Sequence, residues 1–307
     1  MLSKVSVHLE KLSQKCPAIR RQFYPNPLEG RDRTGKDDPL MEDSHSPVRG
    51  LIHKYKNRAL ILLTLNCASY CRFCTRRRTV SDVKAGILRD EDLEQIVTYL
   101  KGHSEIRDLI ISGGDPLTEP ELLRKALTYF SNLPQIKIIR IGTRLPVSNP
   151  RQVSPKLLKV LRLVKKQPLY IGIHFEHPSE INPETIAAVN KLRKIGAILY
   201  SQSVFLKGVN DSVSILRELF TRLIEIGVKP YYIYRCDPVK GAHHFIVPFK
   251  KEVAIMTRLR KELSGLAYPI YVVDTPDGAG KVPVPLNFWQ WNNKSFTDFA
   301  DNSFRIE

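Results

Sequence analysis

The sequence predicts an α/β fold, a partial (βα)6 barrel with an N-terminal arm. From Ala59 onward, short runs rich in β-branched residues alternate with segments of helical periodicity, and there are six such units. This alternation indicates a parallel sheet with right-handed crossovers. The chain has 307 residues, of which 42% are hydrophobic, so one domain of this size can bury a large core.

The repeating part consists of predicted strands separated by predicted helices. The strands are 59–65, 108–112, 136–143, 169–175, 197–204 and 230–234. The helices between them are 90–101, 120–132, 155–165, 183–195 and 212–226, and a further helix at 250–263 precedes a strand at 270–274. The pairs Ser154-Pro155 and Asn182-Pro183 predict two of the helix starts, because a capping side chain precedes a proline that suits the first helical position.

The chain divides into an arm at residues 1–50, a barrel at 51–285 and a tail at 286–307. The arm is rich in charged and turn-forming residues, and it has too few periodic hydrophobic residues to form a domain alone. The longest apolar run, Ala59 to Leu63, is the length of a strand, and the first residues lack an apolar stretch of signal-peptide length. We therefore expect a soluble, cytoplasmic protein without a membrane partner.

The formal net charge is +17, which would suit nucleic acid or another anionic partner. The basic residues are spread along the chain, however, and no RNP, KH or helix-turn-helix pattern organises them. We expect most of this charge to be solvated surface, and we do not expect a nucleic-acid partner.

Three of the five cysteines crowd into the loop after the first predicted strand, as Cys67-x3-Cys71-x2-Cys74. Three thiolates can hold three irons of a [4Fe-4S] cluster and leave the fourth iron open to another ligand. A zinc knuckle is the alternative, although zinc usually takes four protein ligands. The other two cysteines, Cys16 and Cys236, stand alone in the sequence, and we expect them to be incidental thiols.

A CxxxCxxC motif after a first barrel strand resembles the radical S-adenosylmethionine (SAM) superfamily, in which SAM binds the open iron. After the second strand, Ser112-Gly113-Gly114-Asp115 resembles the Gly-Gly-Asp/Glu motif whose backbone contacts SAM. Glycine suits that role because it allows a close approach of the backbone. His174 and Gln202, at the ends of the fourth and fifth strands, are expected to line the SAM side, with core packing as the alternative.

A lysine follows a glycine-containing loop after the last strand, in the segment Asp274 to Lys281. This segment is not a Walker A loop, because Val282 follows the lysine where that motif needs Ser or Thr. Such a lysine can form a Schiff base with an aldehyde cofactor. An ordinary surface lysine is the alternative.

A longer series of motifs resembles the lysine 2,3-aminomutases, which are radical SAM enzymes that also use pyridoxal 5'-phosphate (PLP). The series is His53-Lys54-Tyr55 with Arg58, Cys74-Thr-Arg-Arg-Arg78, Arg140-Ile-Gly-Thr-Arg144, Gln202-Ser-Val204, Tyr231-Tyr-Ile-Tyr-Arg-Cys-Asp237, Val272-Val-Asp274 and Gly280-Lys281. The resemblance covers about residues 38–285. The compact form is closer to the bacterial aminomutases that supply β-lysine for the modification of elongation factor P.

The resemblance implies a role for each matching residue. Lys281 is the catalytic lysine that carries PLP, and Lys54, Tyr55 and Arg58 hold its phosphate. Lys54 stands where the clostridial enzymes usually have arginine, and a point charge binds phosphate less directionally.

The substrate residues follow in the same way. Arg76 pairs with the α-carboxylate of L-lysine, a natural task for a guanidinium fork, while Asp237 and Asp274 bind the distal ammonium. Both aspartates also lie in strings that favour turns, which is the alternative explanation of their presence.

The resemblance thus implies an isomerase that converts L-lysine to β-lysine and takes electrons from a donor such as flavodoxin or ferredoxin. Self-association is left open. Two other functions remain as alternatives at this point: a radical SAM enzyme that modifies tRNA, and a non-catalytic iron-sulfur protein.

Overall fold

The computed structural model describes residues 2–80, 82, 86–275 and 279–305. Its main sheet has nine strands that follow one another in chain order. They are β1 Leu51–Tyr55, β2 Arg58–Thr64, β3 Asp108–Gly113, β4 Ile138–Thr143, β5 Leu169–His174, β6 Ile198–Val204, β7 Lys229–Tyr234, β8 Ile270–Asp274 and β9 Lys281–Pro283. Strands β2 to β8 are parallel, and β1 and β9 are antiparallel to their neighbours at the two edges.

Helices connect the parallel strands and cover the outer face of the sheet. Those of the barrel are α3 Asp90–Lys101, α4 Pro120–Phe130, α5 Leu145–Ser148, α6 Pro155–Leu161, α7 Pro183–Lys194, α8 Val213–Glu225 and α9 Phe249–Glu262, and those of the arm are α1 Val7–Lys15 and α2 Pro17–Phe23. The predicted caps are confirmed, since Ser154 accepts from Leu157 N and Asn182 from Thr185 N. Across the described residues, no helix is both long and apolar enough to cross a membrane.

Alternation along the strands separates the core from the cavity. In β4, Ile139 and Ile141 are fully buried in the hydrophobic core, whereas Arg140 and Gly142 line a cavity on the inner face. Successive side chains of a strand point to opposite faces, so one strand serves both the core and the site. The same alternation places His174 and Gln202 on the inner face.

The fold class predicted from the sequence is confirmed: parallel strands alternate with helices, and the described strands form an open sheet rather than a closed barrel. Lys54 in β1 and Lys281 in β9 contribute to the wall of the same cavity, although they lie on opposite edge strands. The sheet must therefore curve strongly. The two antiparallel edge strands were not predicted. They are short, and only their pairing with β2 and β8 identifies them.

The arm is more ordered than the sequence indicates. Helices α1 and α2 bury Leu9, Ile19 and Phe23 completely in a small hydrophobic cluster that also contacts Cys71. Such a short pattern of apolar residues gives little periodic signal. The chain ends in a separate antiparallel sheet, which consists of β10 Trp289–Gln290, β11 Ser295–Thr297 and β12 Ser303–Arg305.

Candidate active site

A cavity of about 350 Å³ lies inside the curved sheet, towards the carboxyl ends of the parallel strands. Its wall contains every site residue predicted from the sequence: Lys54, Tyr55, Arg58, Cys67, Cys71, Cys74, Arg76, Ser112, Gly113, Gly114, Asp115, His174, Gln202, Asp237, Asp274 and Lys281. Active sites of barrels occupy this end because the loops after the strands converge there. A larger depression, of about 460 Å³, lies beside α1 and shares only Cys67 with the predicted set.

The cysteine loop follows β2 and is built from tight turns. Cys74 N donates to Cys71 O at 3.2 Å, and all three thiols are free. Burial raises the pKa of the Cys67 thiol well above its usual value, and burial together with Cys71 raises the pKa of Cys74 to about 11. The metal-free loop therefore holds neutral thiols, and iron binding would release their protons.

A buried arginine holds one of these sulfurs. Arg144 Nη1 donates to Cys71 Sγ at 2.8 Å, and its Nη2 donates to Glu180 Oε1 at 2.9 Å. The guanidinium also lies 4.7 Å from the ring centre of Phe23, an aromatic residue of the arm. Arg144 belongs to the motif series quoted from the sequence, but nothing in the sequence indicated that it would contact a cysteine.

The donor set fits an iron-sulfur cluster. In the part of the chain that the structure describes, no three acidic, histidine or cysteine side chains converge closely enough to hold a single ion. A [4Fe-4S] cluster binds each thiolate to a different iron, so its ligands need not meet at one point. Three cysteines on one loop, all on the cavity wall, match that requirement.

The Gly-Gly-Asp segment after β3 packs tightly against the cysteine loop. Gly114 N donates to Thr64 O and Asp115 N to Asn66 O at 2.7 Å. A side chain at Gly113 or Gly114 would collide with the backbone of residues 64–66, and Gly113 has a φ of +121°. These glycines are therefore required by the approach of two backbones, a reason that the sequence alone did not give.

Asp115 joins neighbouring strand ends rather than facing solvent. Its carboxylate accepts from Thr143 Oγ1 at 2.7 Å and from Arg144 N at 2.8 Å. It also accepts from Leu117 N at 3.1 Å. The carboxylate lies on the cavity wall with its acceptor sites engaged, an arrangement that favours support of the loop over direct contact with a ligand.

His174 and Gln202 are adjacent in the register of β5 and β6. Gln202 Nε2 donates to Tyr234 Oη at 2.7 Å, and His174 Nδ1 lies 3.5 Å from Glu176 Oε1. Both side chains thus present fixed polar groups to the middle of the cavity. Tyr234 was not predicted as a site residue.

The turn between β1 and β2 brings three candidate phosphate-binding residues together. Arg58 stacks on the Tyr55 ring, 4.3 Å from its centre, and Arg58 Nε is buried without a hydrogen-bond partner among the described residues. Lys54 Nζ donates to Leu40 O, and burial lowers the pKa of Lys54. A buried donor without an acceptor is costly, so this corner is suited to an anionic group.

Lys281 lies at the start of β9, a short strand that was not predicted. It is the register partner of Asp274 in β8, and its Nζ donates to the two carboxylate oxygens at 2.6 and 2.8 Å. The same Nζ lies 5.2 Å from the centre of the Tyr234 ring. Residues 276–278 of the predicted glycine-containing loop lie outside the described residues.

Asp237 and Asp274 form an acidic end of the cavity. Burial, together with the charge of Asp274, raises the pKa of Asp237 to about 7. Two carboxylates in a low-dielectric pocket resist joint ionisation unless a cation lies between them. Here the Lys281 ammonium is that cation. A substrate ammonium has the same chemistry, so it could take the place of Lys281 beside these carboxylates.

One further residue of the wall was missed because it belongs to the arm. Glu42 lines the cavity and pairs with Arg76 through two hydrogen bonds, of 2.7 and 2.6 Å. The only available signal was the match between an acidic stretch in the arm and the arginine run Arg76 to Arg78.

Comparison with known proteins identifies the family. The model of the radical SAM superfamily matches residues 61–219. An L-lysine 2,3-aminomutase from Clostridium subterminale is 40% identical over 88% of this chain, which spans 65% of that relative's length. A putative L-lysine 2,3-aminomutase from Aquifex aeolicus is 41% identical over 88% of this chain and 73% of its own length.

A solved structure supports the fold. The structure described as native anSMEcpe with bound AdoMet superimposes with a TM-score of 0.51 at 17% identity, over 66% of this chain and 59% of that one. At this identity the likeness shows the fold of the curved parallel sheet. The chain belongs to the radical SAM superfamily and, within it, to the family of the L-lysine 2,3-aminomutases.

Proposed function

We propose that this chain is a lysine 2,3-aminomutase, which moves the α-amino group of L-lysine to the β-carbon and yields β-lysine. The observation that carries the proposal is that one cavity holds a three-thiol loop, a lysine near two aspartates, and Arg76. The reaction exchanges an amino group and a hydrogen atom between neighbouring carbons, so it needs no net oxidant.

Three groups would bind in this cavity. Cys67, Cys71 and Cys74 would hold a [4Fe-4S] cluster with SAM on its open iron, and Lys281 would hold PLP by its aldehyde carbon. The cluster and SAM supply a radical able to remove a hydrogen atom, and PLP supplies a carbon that carries the migrating amino group. Lys54 and Arg58 would bind the PLP phosphate, which the unpartnered Nε of Arg58 supports.

The ends of the substrate meet residues of opposite charge. Arg76 would bind the α-carboxylate by its guanidinium, while Asp237 and Asp274 would bind the distal ammonium. When the nitrogen of Lys281 is bonded elsewhere, Asp274 loses its present partner. Its carboxylate is then free to accept the substrate ammonium in place of Lys281.

This arrangement favours lysine over an acidic amino acid. A second carboxylate on the substrate would meet Asp237 and Asp274 in a buried pocket, where like charges repel strongly. An ammonium at the same place lets both aspartates ionise. The tyrosines of β6 and β7 line the remaining wall and exclude water, which protects a reactive radical from side reactions.

We also infer which part of the chain contributes each part of the site. The barrel at 51–285 carries the cysteine loop and the pocket around Lys281, and the arm at 1–50 adds Glu42 to the wall. Residues 289–305 of the tail, which we place at 286–307, contain a small sheet. An acidic one-electron donor such as flavodoxin or ferredoxin would reduce the cluster. The cytoplasm suits these free thiols, because it keeps them reduced.

The test is anaerobic reconstitution with iron and sulfide, followed by incubation with SAM, PLP, a reductant and single amino acids. We expect β-lysine from L-lysine, and no product from glutamate or alanine. SAM cleavage without any β-amino acid would contradict the proposal and favour a tRNA-modifying enzyme. A cluster that never cleaves SAM would favour a non-catalytic iron-sulfur protein.

A further inference from the structure

The arm supplies an acidic partner for Arg76. Glu42 Oε2 accepts from Arg76 Nε at 2.7 Å, and Glu42 Oε1 accepts from Arg76 Nη2 at 2.6 Å. The side chains are 12% and 17% exposed. Burial opposes the charge on Arg76, but the Glu42 carboxylate more than offsets that effect, and the pKa of Arg76 is raised.

The pairing uses only one side of the guanidinium. A guanidinium has five N–H donors in a planar fork, and Glu42 takes the edge formed by Nε and Nη2. The third nitrogen, Nη1, makes only long contacts, of 3.4 Å to Ser112 Oγ and 3.3 Å to Gly113 O. The end of the fork, formed by Nη1 and Nη2, therefore keeps donors for a second carboxylate.

Glu42 is held in place from both sides along the chain. Leu40 O, two residues earlier, accepts from Lys54 Nζ. Asp43, the next residue, accepts from Arg78 at 2.7 and 2.6 Å. A substrate carboxylate that displaced Glu42 would have to leave a buried carboxylate without a partner, which is unfavourable.

Resting on the proposed function, we propose that Glu42 is a positioning residue for the substrate carboxylate. It fixes the plane of the Arg76 guanidinium so that the Nη1–Nη2 end meets the α-carboxylate of the amino acid. This end-on contact sets where the β-carbon lies. Glu42 does not touch the substrate in this arrangement and acts through Arg76.

Loss of Glu42 has a defined consequence. In Glu42→Ala, the Nε–Nη2 edge of Arg76 is left buried without an acceptor, and the substrate carboxylate is the nearest anion that can take it. The amino acid still binds, but in a shifted position. Because a shift of about 1 Å can cost roughly 100-fold in rate, we expect kcat to fall by about that factor, and the dissociation constant of lysine to change by less than about 10-fold.

The experiment compares Glu42→Ala and Glu42→Gln with the matched control Asp37→Asn, which breaks an exposed ion pair of the same arm. The Asp37 side chain is 69% exposed and pairs with Lys240, not with Arg76. Lysine binding is read from the PLP absorbance without SAM, and kcat from turnover with SAM. Iron content, PLP content and Tm check that each variant is folded and loaded.

We expect a lower kcat in Glu42→Ala with nearly unchanged lysine binding, a smaller loss in Glu42→Gln, and parental behaviour in Asp37→Asn. In an Arg76→Ala background, Glu42→Ala should have no further effect. A lower KM with undiminished kcat would overturn the inference, because it would mean that Glu42 competes with the substrate. Equal losses in Asp37→Asn would also overturn it, since they would indicate general anchoring of the arm.

The two proposals fail in different ways. If Arg76→Ala leaves lysine turnover intact, the role of Arg76 in the proposed function is wrong. If Arg76→Ala abolishes turnover while both Glu42 variants match the parent, only the present inference is wrong.

Discussion

The centre and the edges of the sheet contribute different parts of the site. The central parallel strands end in the cysteine loop, the Gly-Gly-Asp segment and the pair His174 and Gln202. The antiparallel edge strands β1 and β9 contribute Lys54 with Tyr55, and Lys281. Residues from opposite edges meet only because the sheet curves. The part of the cavity around Lys281 and Lys54 therefore depends on the overall shape of the sheet more than the cysteine loop does.

The two regions also differ in how their polar groups are bound. Around the cysteine loop, Asp115 accepts several hydrogen bonds and Arg144 reaches both Cys71 and Glu180. Beside β9, the pair of Lys281 with Asp274 is the main fixed contact. The hydrogen bonds around the cysteine loop thus favour one fixed arrangement. The pair of Lys281 with Asp274 can instead separate when either residue binds another group.

The largest expected effect comes from the centre. Replacing Cys67, Cys71 or Cys74 by Ala should abolish SAM cleavage, because two thiolates cannot hold the cluster with one open iron. Iron and sulfide content and the yield of 5′-deoxyadenosine measure this. Cys16→Ser serves as the control and should behave like the parent. A cysteine-loop variant with a full cluster and normal turnover would show that the ligands lie elsewhere.

Removal of the edge lysine should separate the two regions. Lys281→Ala should lose covalent PLP, seen as loss of the imine absorbance, while the cluster spectrum stays unchanged. Lys281→Arg keeps a cation beside Asp274 but cannot form an imine, so it should lose PLP in the same way. PLP that remains attached to either variant after borohydride reduction would move the attachment to another lysine.

Substrate specificity should depend on the acidic end of the cavity. Asp237→Asn or Asp274→Asn leaves the distal ammonium half-paired, and a buried pair broken on one side costs roughly 3–5 kcal/mol, or about 150- to 5,000-fold in kcat/KM for lysine. Arg76→Ala should impair all amino acids alike. The comparison uses lysine, ornithine, glutamate and alanine. Parental turnover of glutamate equal to that of lysine would contradict the assignment.

The smallest effect is a pH dependence of lysine binding. With the Lys281 ammonium nearby, the pKa of Asp237 is raised to about 7, and loss of that ammonium on PLP binding would raise it further. A neutral carboxyl cannot form an ion pair with an ammonium, so the lysine affinity of the PLP-loaded protein should rise as pH increases above about 7, by at most about tenfold per pH unit. Titration of the PLP-loaded protein from about pH 7 upward measures this. The dependence of lysine affinity on pH should vanish in Asp237→Asn.

Protonation of Asp237 also links this pocket to stability. Its carboxyl has a higher pKa in the folded protein than its ordinary value, so the folded state binds the extra proton more tightly. The free energy of unfolding of the ligand-free protein therefore decreases as pH rises from about 4 to 7 on account of this group. Lysine binding, which favours the ionised form, should reverse part of that loss.

Local patterns in the sequence were enough to predict the centre of the molecule. Helix α3 begins and ends where periodicity placed it, and the cysteine loop follows its strand as expected. The pairing of Glu42 with Arg76 and the contact of Arg144 with Cys71 could not be predicted, because each joins segments that only the curved sheet brings together. Strand β9 was missed for the same reason, since three residues become a strand only through β8.

The contact between Arg144 and Cys71 has a consequence for electron transfer. A reduced iron-sulfur cluster carries one more negative charge than the oxidised one, and hydrogen bonds to its ligand sulfurs together with nearby charge set its reduction potential. The buried guanidinium, 2.8 Å from Cys71 Sγ, would stabilise that added charge on a cluster bound to this loop. A cluster on this loop should therefore accept an electron at a less negative potential than one held by the same three cysteines without Arg144.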